Sequence, residues 1–162
     1  MKTEPKQENF RPPHPKGPQY FEGILQLRNP TQEVVEYVWN EVDKKVNQHV
    51  YIQKAVRVNT GLDYYMTSNK FLKTLGKKLQ ERFGGELKFS AKLFSKDKQT
   101  SKELYRLTVM FRLPQFCVGE EVQFKGDKFL VKSIGKKVFL KSVKSGKKVI
   151  IGQKDLSKIC KC

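Results

Sequence analysis

The segment VYIQKAVRVNTGLDYYMTSNKFLKTLGKKLQERFGG, residues 50–85, changes its hydrophobic period once, and that change decides the fold class. Residues 50–58 are rich in β-branched side chains and run into Asn59-Thr60-Gly61, a turn-forming trio, before residues 62–67 resume an extended pattern. Two such runs joined by a turn predict a hairpin. Ser68 then suits an N-cap, and Phe71, Leu72, Leu75, Leu79 and Phe83 recur at helical spacing until Gly84-Gly85 stops the helix. A hairpin followed at once by an amphipathic helix calls for a sheet with helices packed on it.

The flanking sequence extends this unit on both sides. Upstream, Phe21, Gly23, Leu25 and Leu27 alternate with Glu22, Ile24, Gln26 and Arg28, a first strand with one mostly apolar face. Asn29 is the expected N-cap of a following helix, with Pro30 at its first position, where the missing N–H costs nothing. Val34, Val38, Val42 and Val46 recur every fourth residue, widened by Val35 and Trp39, which predicts a helix packed on a sheet with Trp39 in the core. Downstream, Leu87, Phe89, Ala91 and Leu93 alternate with Lys88, Ser90, Lys92 and Phe94. Polar residues 95–101 then turn the chain into a last strand over 104–113. The order β-α-β-β-α-β-β predicts an α+β domain over 19–113, a split βαβ-like sandwich with helices on one sheet face.

Pro114 ends that pattern, because proline cannot donate to a central ladder. Residues 114–162 show no helical period. Short strands at 122–125, 128–134, 138–143 and 148–151 are separated by Gly126-Asp127, Gly135-Lys136-Lys137 and Ser145-Gly146, which is hairpin chemistry. Four or five such strands predict a small all-β, SH3-like barrel whose closure removes exposed edges. Before both units, residues 1–18 hold five of the seven prolines among charges and predict a disordered, basic tail, suited to an RNA groove or to a linker.

Charge narrows the function. The chain has 162 residues with 33 Lys+Arg against 16 Asp+Glu, a formal net charge of +17. Such an excess favours phosphate backbones, since each neutralised phosphate releases counterions. Residues 114–162 carry twelve lysines, four carboxylates and no arginine. Lysine is a compact point charge, whereas arginine suits bidentate base reading, so backbone and shape recognition is expected. The expected RNA contacts are Lys136, Lys137, Lys144, Lys147 and Lys148 at turns of the barrel, with Lys77, Lys78 and Arg82 extending the surface along the second helix. A solvated outer helix face explains Lys77, Lys78 and Arg82 as well, and solubilising a small barrel is the lesser alternative for the turn lysines. Tyr64 and Tyr65 point to opposite faces of a strand, which leaves one of them for base stacking.

Other classes find no support. No run of 18 apolar residues or signal peptide occurs, so neither a membrane span nor secretion is expected, and the chain reads as cytoplasmic. The aromatic-rich motif of an RRM is missing from the first and third strands, and no KH-type Gly-x-x-Gly loop or phosphate-cradling Gly-x-x-x-x-Gly-Lys-Ser/Thr occurs. His14 and His49 belong to no nucleophile motif, so no enzyme is expected. Cys117, Cys160 and Cys162 have no CxxC spacing, so no metal or other cofactor is expected.

Gly61-Leu62-Asp63-Tyr64-Tyr65-Met66-Thr67-Ser68 before a Lys-rich amphipathic helix resembles the central region of the Nmd-three family, the export adapter of the large ribosomal subunit and its archaeal relatives. Phe21-Glu22-Gly23-Ile24-Leu25-Gln26-Leu27-Arg28, and Ser90-Ala91-Lys92-Leu93 leading to Tyr105-Arg106-Leu107-Thr108-Val109, agree in order and spacing, and the resemblance spans roughly residues 20–160. It implies a factor that docks on the intersubunit face of the large subunit, contacting rRNA and ribosomal proteins, and acts in maturation or quality control. The family's later domains look like the translation factor that carries hypusine, which suits the small barrel. The family's N-terminal CxxC zinc modules are missing, so a partner protein bearing such modules is one expectation and an archaeal-type or truncated member another. The long acidic, signal-bearing tail of the eukaryotic adapter is missing too, so a nuclear export role does not carry over. The competing class is a general RNA-binding or translation-factor module not dedicated to the ribosome.

Overall fold

Residues 19–161 are described by the computed structural model, and the tail expected over 1–18 lies outside them. The first unit runs β1 (Gly23–Arg28), α1 (Gln32–Asp43), β2 (Ile52–Val58), β3 (Gly61–Met66), α2 (Asn69–Phe83), β4 (Glu86–Lys96) and β5 (Glu103–Arg112). It is α+β, with the element order that the sequence pattern predicts. Its strands lie in the order β2-β3-β1-β5-β4. β1 runs parallel to β5, and the other neighbours are antiparallel. β1 and β2 therefore point the same way with β3 between them.

Alternation along these strands sends one set of side chains to the helices. Leu25, Leu27, Tyr64, Met66, Leu107, Val109 and Phe111 form one core with Val34, Val38 and Val42 of α1 and Leu72, Leu75 and Leu79 of α2. Each such side chain withdrawn from water contributes up to about 1.5–3 kcal/mol. Gly76 lets α2 sit close, since a Cβ there would come within 2.8 Å of Val109 Cγ1. Trp39 is half-buried and packs against this core, with its ring edge-on to Tyr64 at 5.8 Å.

Both ends of α1 differ from the sequence expectation. Asn29 is not the cap: it adopts a left-handed conformation (φ 52°) and donates its N–H to the Thr60 carbonyl at the strand end. Thr31 caps instead, its hydroxyl accepting from Val34 N. Asparagine tolerates the left-handed region better than most residues, so the hairpin takes it as a hinge. The helix stops at Asp43, and Val46 opens a short 3-10 turn (Val46–Gln48) that ends at left-handed His49. For α2 the expected boundaries hold. Ser68 accepts from Phe71 N, and Gly84 (φ 68°) ends the helix.

The β4–β5 hairpin outruns the helix that should cover it. Phe89, Leu93, Leu104 and Tyr105 are all exposed, although alternation alone puts Phe89 and Leu93 on the same face as buried Leu87. Residues 91–96 and 101–105 are exposed throughout, a projecting arm at the edge of the sheet.

The second unit runs β6 (Glu121–Phe124), β7 (Asp127–Ile134), β8 (Val138–Ser142), β9 (Lys148–Ile151), a 3-10 turn (Gln153–Lys158) and β10 (Cys160–Lys161). The strand order is β10-β6-β7-β8-β9, antiparallel throughout. The fifth strand is the short β10, and β9 and β10 remain edges of the ladder. A separate core gathers Val122, Phe124, Phe129, Val131, Val138, Leu140 and Ile151 with Phe116, Leu156 and Ile159. The two units touch where α2 ends. Lys136 pairs with Glu81 at 3.2 Å, and a Cβ at Gly84 would run into the Ile134 side chain. Among the described residues, no helix is long and apolar enough to cross a membrane.

Candidate nucleic-acid interface

An antiparallel meander puts successive turns at opposite ends, and this sorts the lysines of the second unit. Lys136 and Lys137 lie in the β7–β8 turn, while Lys144, Lys147 and Lys148 lie at the β8–β9 turn, one length of β8 away, roughly 17 Å for its 5 residues. The five do not form one cluster. The β6–β7 turn falls at the same end as the β8–β9 turn, and Val143 N donates to Lys128 O at 3.2 Å to tie the two together. This end therefore collects Lys125, Lys128, Lys141, Lys144, Lys147 and Lys148, all exposed, against the single carboxylate Asp127 within segments 125–128 and 141–148. Lys141 and Lys148 are direct cross-strand partners, and like charges facing each other across a ladder repel. None of these six lysines has an ion-pair partner among the described residues. Lys136 does, because the other turn faces the first unit.

The residues expected along α2 divide differently. Lys78 lies 2.7 Å from Glu41 of α1, whose other oxygen meets Lys44 at 2.6 Å. The Lys44 and Lys78 ammonium groups hold the buried Glu41 carboxyl below its usual range, and Glu41 in turn raises Lys78. Arg82 lies over Tyr37 at 4.9 Å and Phe83 at 5.6 Å, clamping α1 to α2. Both cations have work inside the fold. Lys77 is exposed and lies with Lys73 along a shallow groove floored by Phe89, Ala91 and Leu107.

The sheet face turned away from the helices carries a second set of groups. Register places Lys54, Tyr65, Ile24, Thr108 and Ser90 in one row across all five strands, with Arg106 and Lys92 paired beside it. The Arg106 guanidinium is held between two rings, 4.0 Å from the Phe21 centroid and 3.5 Å from that of Phe94. Phe21 meets Tyr65 edge-on at 4.9 Å, and Lys54 Nζ lies 5.7 Å from the Tyr65 ring. A line of cations and rings, Lys54, Tyr65, Phe21, Arg106 and Phe94, thus crosses the sheet. Tyr64, the other tyrosine of the pair, is fully buried, and burial pushes its hydroxyl up while the Trp39 indole opposes the shift. The strand pattern puts Phe21 on the face of Leu25 and Leu27 and Phe94 among the polar positions of its strand, and it does not bring the two rings together on Arg106. Phe21 precedes β1, and Phe94 sits at a bulge where the register shifts between Leu93 and Ser95, re-aiming its ring.

A cleft of about 590 Å³ between the two sheets is lined in part by Arg28, Arg112 and Lys161. Each is already paired, with Asp63 at 2.7 Å, Glu86 at 3.4 Å and Glu120 at 3.1 Å, so the cleft offers no uncommitted cation. Among the described residues no three His, Cys, Asp or Glu side chains gather as a metal site.

A comparison with curated proteins gives no match. The family profile described as "NMD3, second domain" matches residues 20–113, more than half of the 162-residue chain and the whole of the first sheet with its two helices. The matched segment contains the motifs around Gly61 to Ser68 and Phe21 to Arg28 on which the resemblance rests, and ties the chain to a ribosome-related function. The chain belongs to the NMD3 family.

Proposed function

We propose that this chain binds the large ribosomal subunit without catalysing a reaction, contacting rRNA phosphates through the lysine end of its second sheet. The observation that carries the reading is the set of six exposed lysines, without ion-pair partners among the described residues, in a chain that belongs to the NMD3 family. Unpartnered cations on turns can exchange counterions for phosphates at little conformational cost. On this reading the first unit is a split βαβ-like sandwich and the second an SH3-like barrel that presents its turns. The protein acts in the cytoplasm in subunit maturation or in keeping immature subunits out of translation. It is monomeric off the ribosome, and a zinc-module protein is a candidate neighbour there. The expected contacts at Lys136 and Lys137 are then secondary to those at the opposite end, and Lys77 is the α2 cation best placed to add to them.

Gradient sedimentation of cell extract at physiological salt tests the reading. Co-migration with free large subunits is the expected result, and absence from that peak overturns it. Binding to naked RNA without association with subunits moves the chain to the class of general RNA-binding modules. Turnover of an RNA substrate by the pure protein contradicts the non-enzymatic role.

A further inference from the structure

The helix-free face of the first sheet has no part in the phosphate contacts proposed above, yet it bears both rings and cations. Lys54, Lys88, Lys92, Arg28, Arg106 and Arg112 lie on it against two carboxylates, Asp63 and Glu86. Both carboxylates are already paired, Asp63 with Arg28 and Glu86 with Lys88 and Arg112. Lys54, Lys92 and Arg106 remain to meet an anion. All three lie at the end of the face where the rings are.

Chemistry there favours an unpaired nucleotide over a duplex. The guanidinium lies close to two rings, and its buried Nε has no hydrogen-bond partner among the described residues. The ring of Phe94, which is 56% exposed, has an outer face open to solvent. A duplex keeps its base faces stacked internally and has no use for an exposed ring, whereas an unpaired base stacks on one while its phosphate seeks a nearby cation. The line from Lys54 to Phe94 crosses five strands, roughly 19 Å at the usual strand spacing, the width over which sheet platforms take about two or three bases. An acidic protein partner would satisfy the cations but leave the rings without a role.

We infer that this face is a stacking platform for unpaired RNA nucleotides, with bases on Phe94 and Tyr65 and phosphates toward Lys54, Lys92 and Arg106. The inference rests on the reading of an RNA partner and deepens it by adding a second, single-strand-selective site. It is tested with the full chain, by fluorescence anisotropy with a labelled ten-nucleotide oligouridylate and, separately, a ten-base-pair RNA duplex. Phe94→Ala is expected to weaken oligouridylate binding by about 5- to 150-fold, the usual loss for one stacked base, with duplex affinity unchanged. Phe94→Trp is expected to restore it, an outcome that a merely structural role for Phe94 would not give. Tyr65→Ala is expected to act in the same direction. Unchanged oligouridylate affinity in both alanine variants overturns the platform while leaving the lysine end intact. Loss of duplex binding in Phe94→Ala overturns it too. Failure of the wild-type chain to bind either RNA overturns both the platform and the RNA reading.

Discussion

Replacing Lys144, Lys147 and Lys148 together by glutamine removes half of the six lysines gathered at one end of the second sheet. Each phosphate neutralised adds roughly 0.7 to 0.9 to the slope of log affinity against log salt, so the triple variant should flatten that slope by about two. Between about 50 and 200 mM salt the wild type should then lose about 16-fold more affinity than the variant. The fold should tolerate the change, because all three side chains are exposed, unpaired and at a turn or strand end, where substitutions usually matter within about half a kcal/mol. Lys136→Gln with Lys137→Gln is the internal control: it sits at the other end of β8, with Lys136 tied to Glu81, and should change the slope by less than one. The assay is anisotropy with a labelled duplex RNA at five salt concentrations. A folded triple variant that keeps the wild-type slope, or a control that flattens it equally, refutes the assignment of phosphate contact to this end.

Glu41→Gln tests the buried carboxylate that bridges α1 and α2. It exchanges two charge-assisted contacts for neutral ones, and with both lysines well exposed the expected loss is about 1 kcal/mol by urea denaturation at pH 7. Because the folded carboxyl is held below its ordinary 4.5, the stabilisation is complete above that pH and disappears as pH falls through the lowered value, so wild type and variant should converge in acid. A gap that persists undiminished at low pH contradicts the ion-pair account. Gly61→Ala places a Cβ against the Leu27 carbonyl in the β1–β3 ladder and should cost about 2–3 kcal/mol, read as a lower urea midpoint. An unchanged midpoint there would show that the pairing relaxes freely.

What the sequence makes legible follows from what is local. The turn at Asn59, the cap at Ser68 and the stop at Gly84 depend on neighbours within a few residues, and each stands where the pattern puts it. Asn29 does not, because its N–H is bound to the carbonyl of a residue 31 positions away, Thr60, in the β2–β3 turn. The exposure of Phe89 and Leu93 depends on how far α2 reaches, which no alternation encodes. The same divide holds at the interface. The basic character of the second unit is plain in composition, and the meander rule, applied to its turns, would have separated Lys136 and Lys137 from the rest and added Lys125 and Lys128. The stacked line through Arg106 is different in kind. It depends on a bulge that turns Phe94 and on a residue ahead of β1, so it becomes visible only when the strands are in register.

On the reading proposed above, this NMD3-family chain meets the large ribosomal subunit through its lysine turns. A cryo-EM map of the purified protein bound to free large subunits tests it most directly. Residues 125–128 and 141–148 are expected against rRNA phosphates, within ion-pair distance of Lys144, Lys147 and Lys148. A map in which those turns face solvent while the chain is held by ribosomal proteins alone would contradict it.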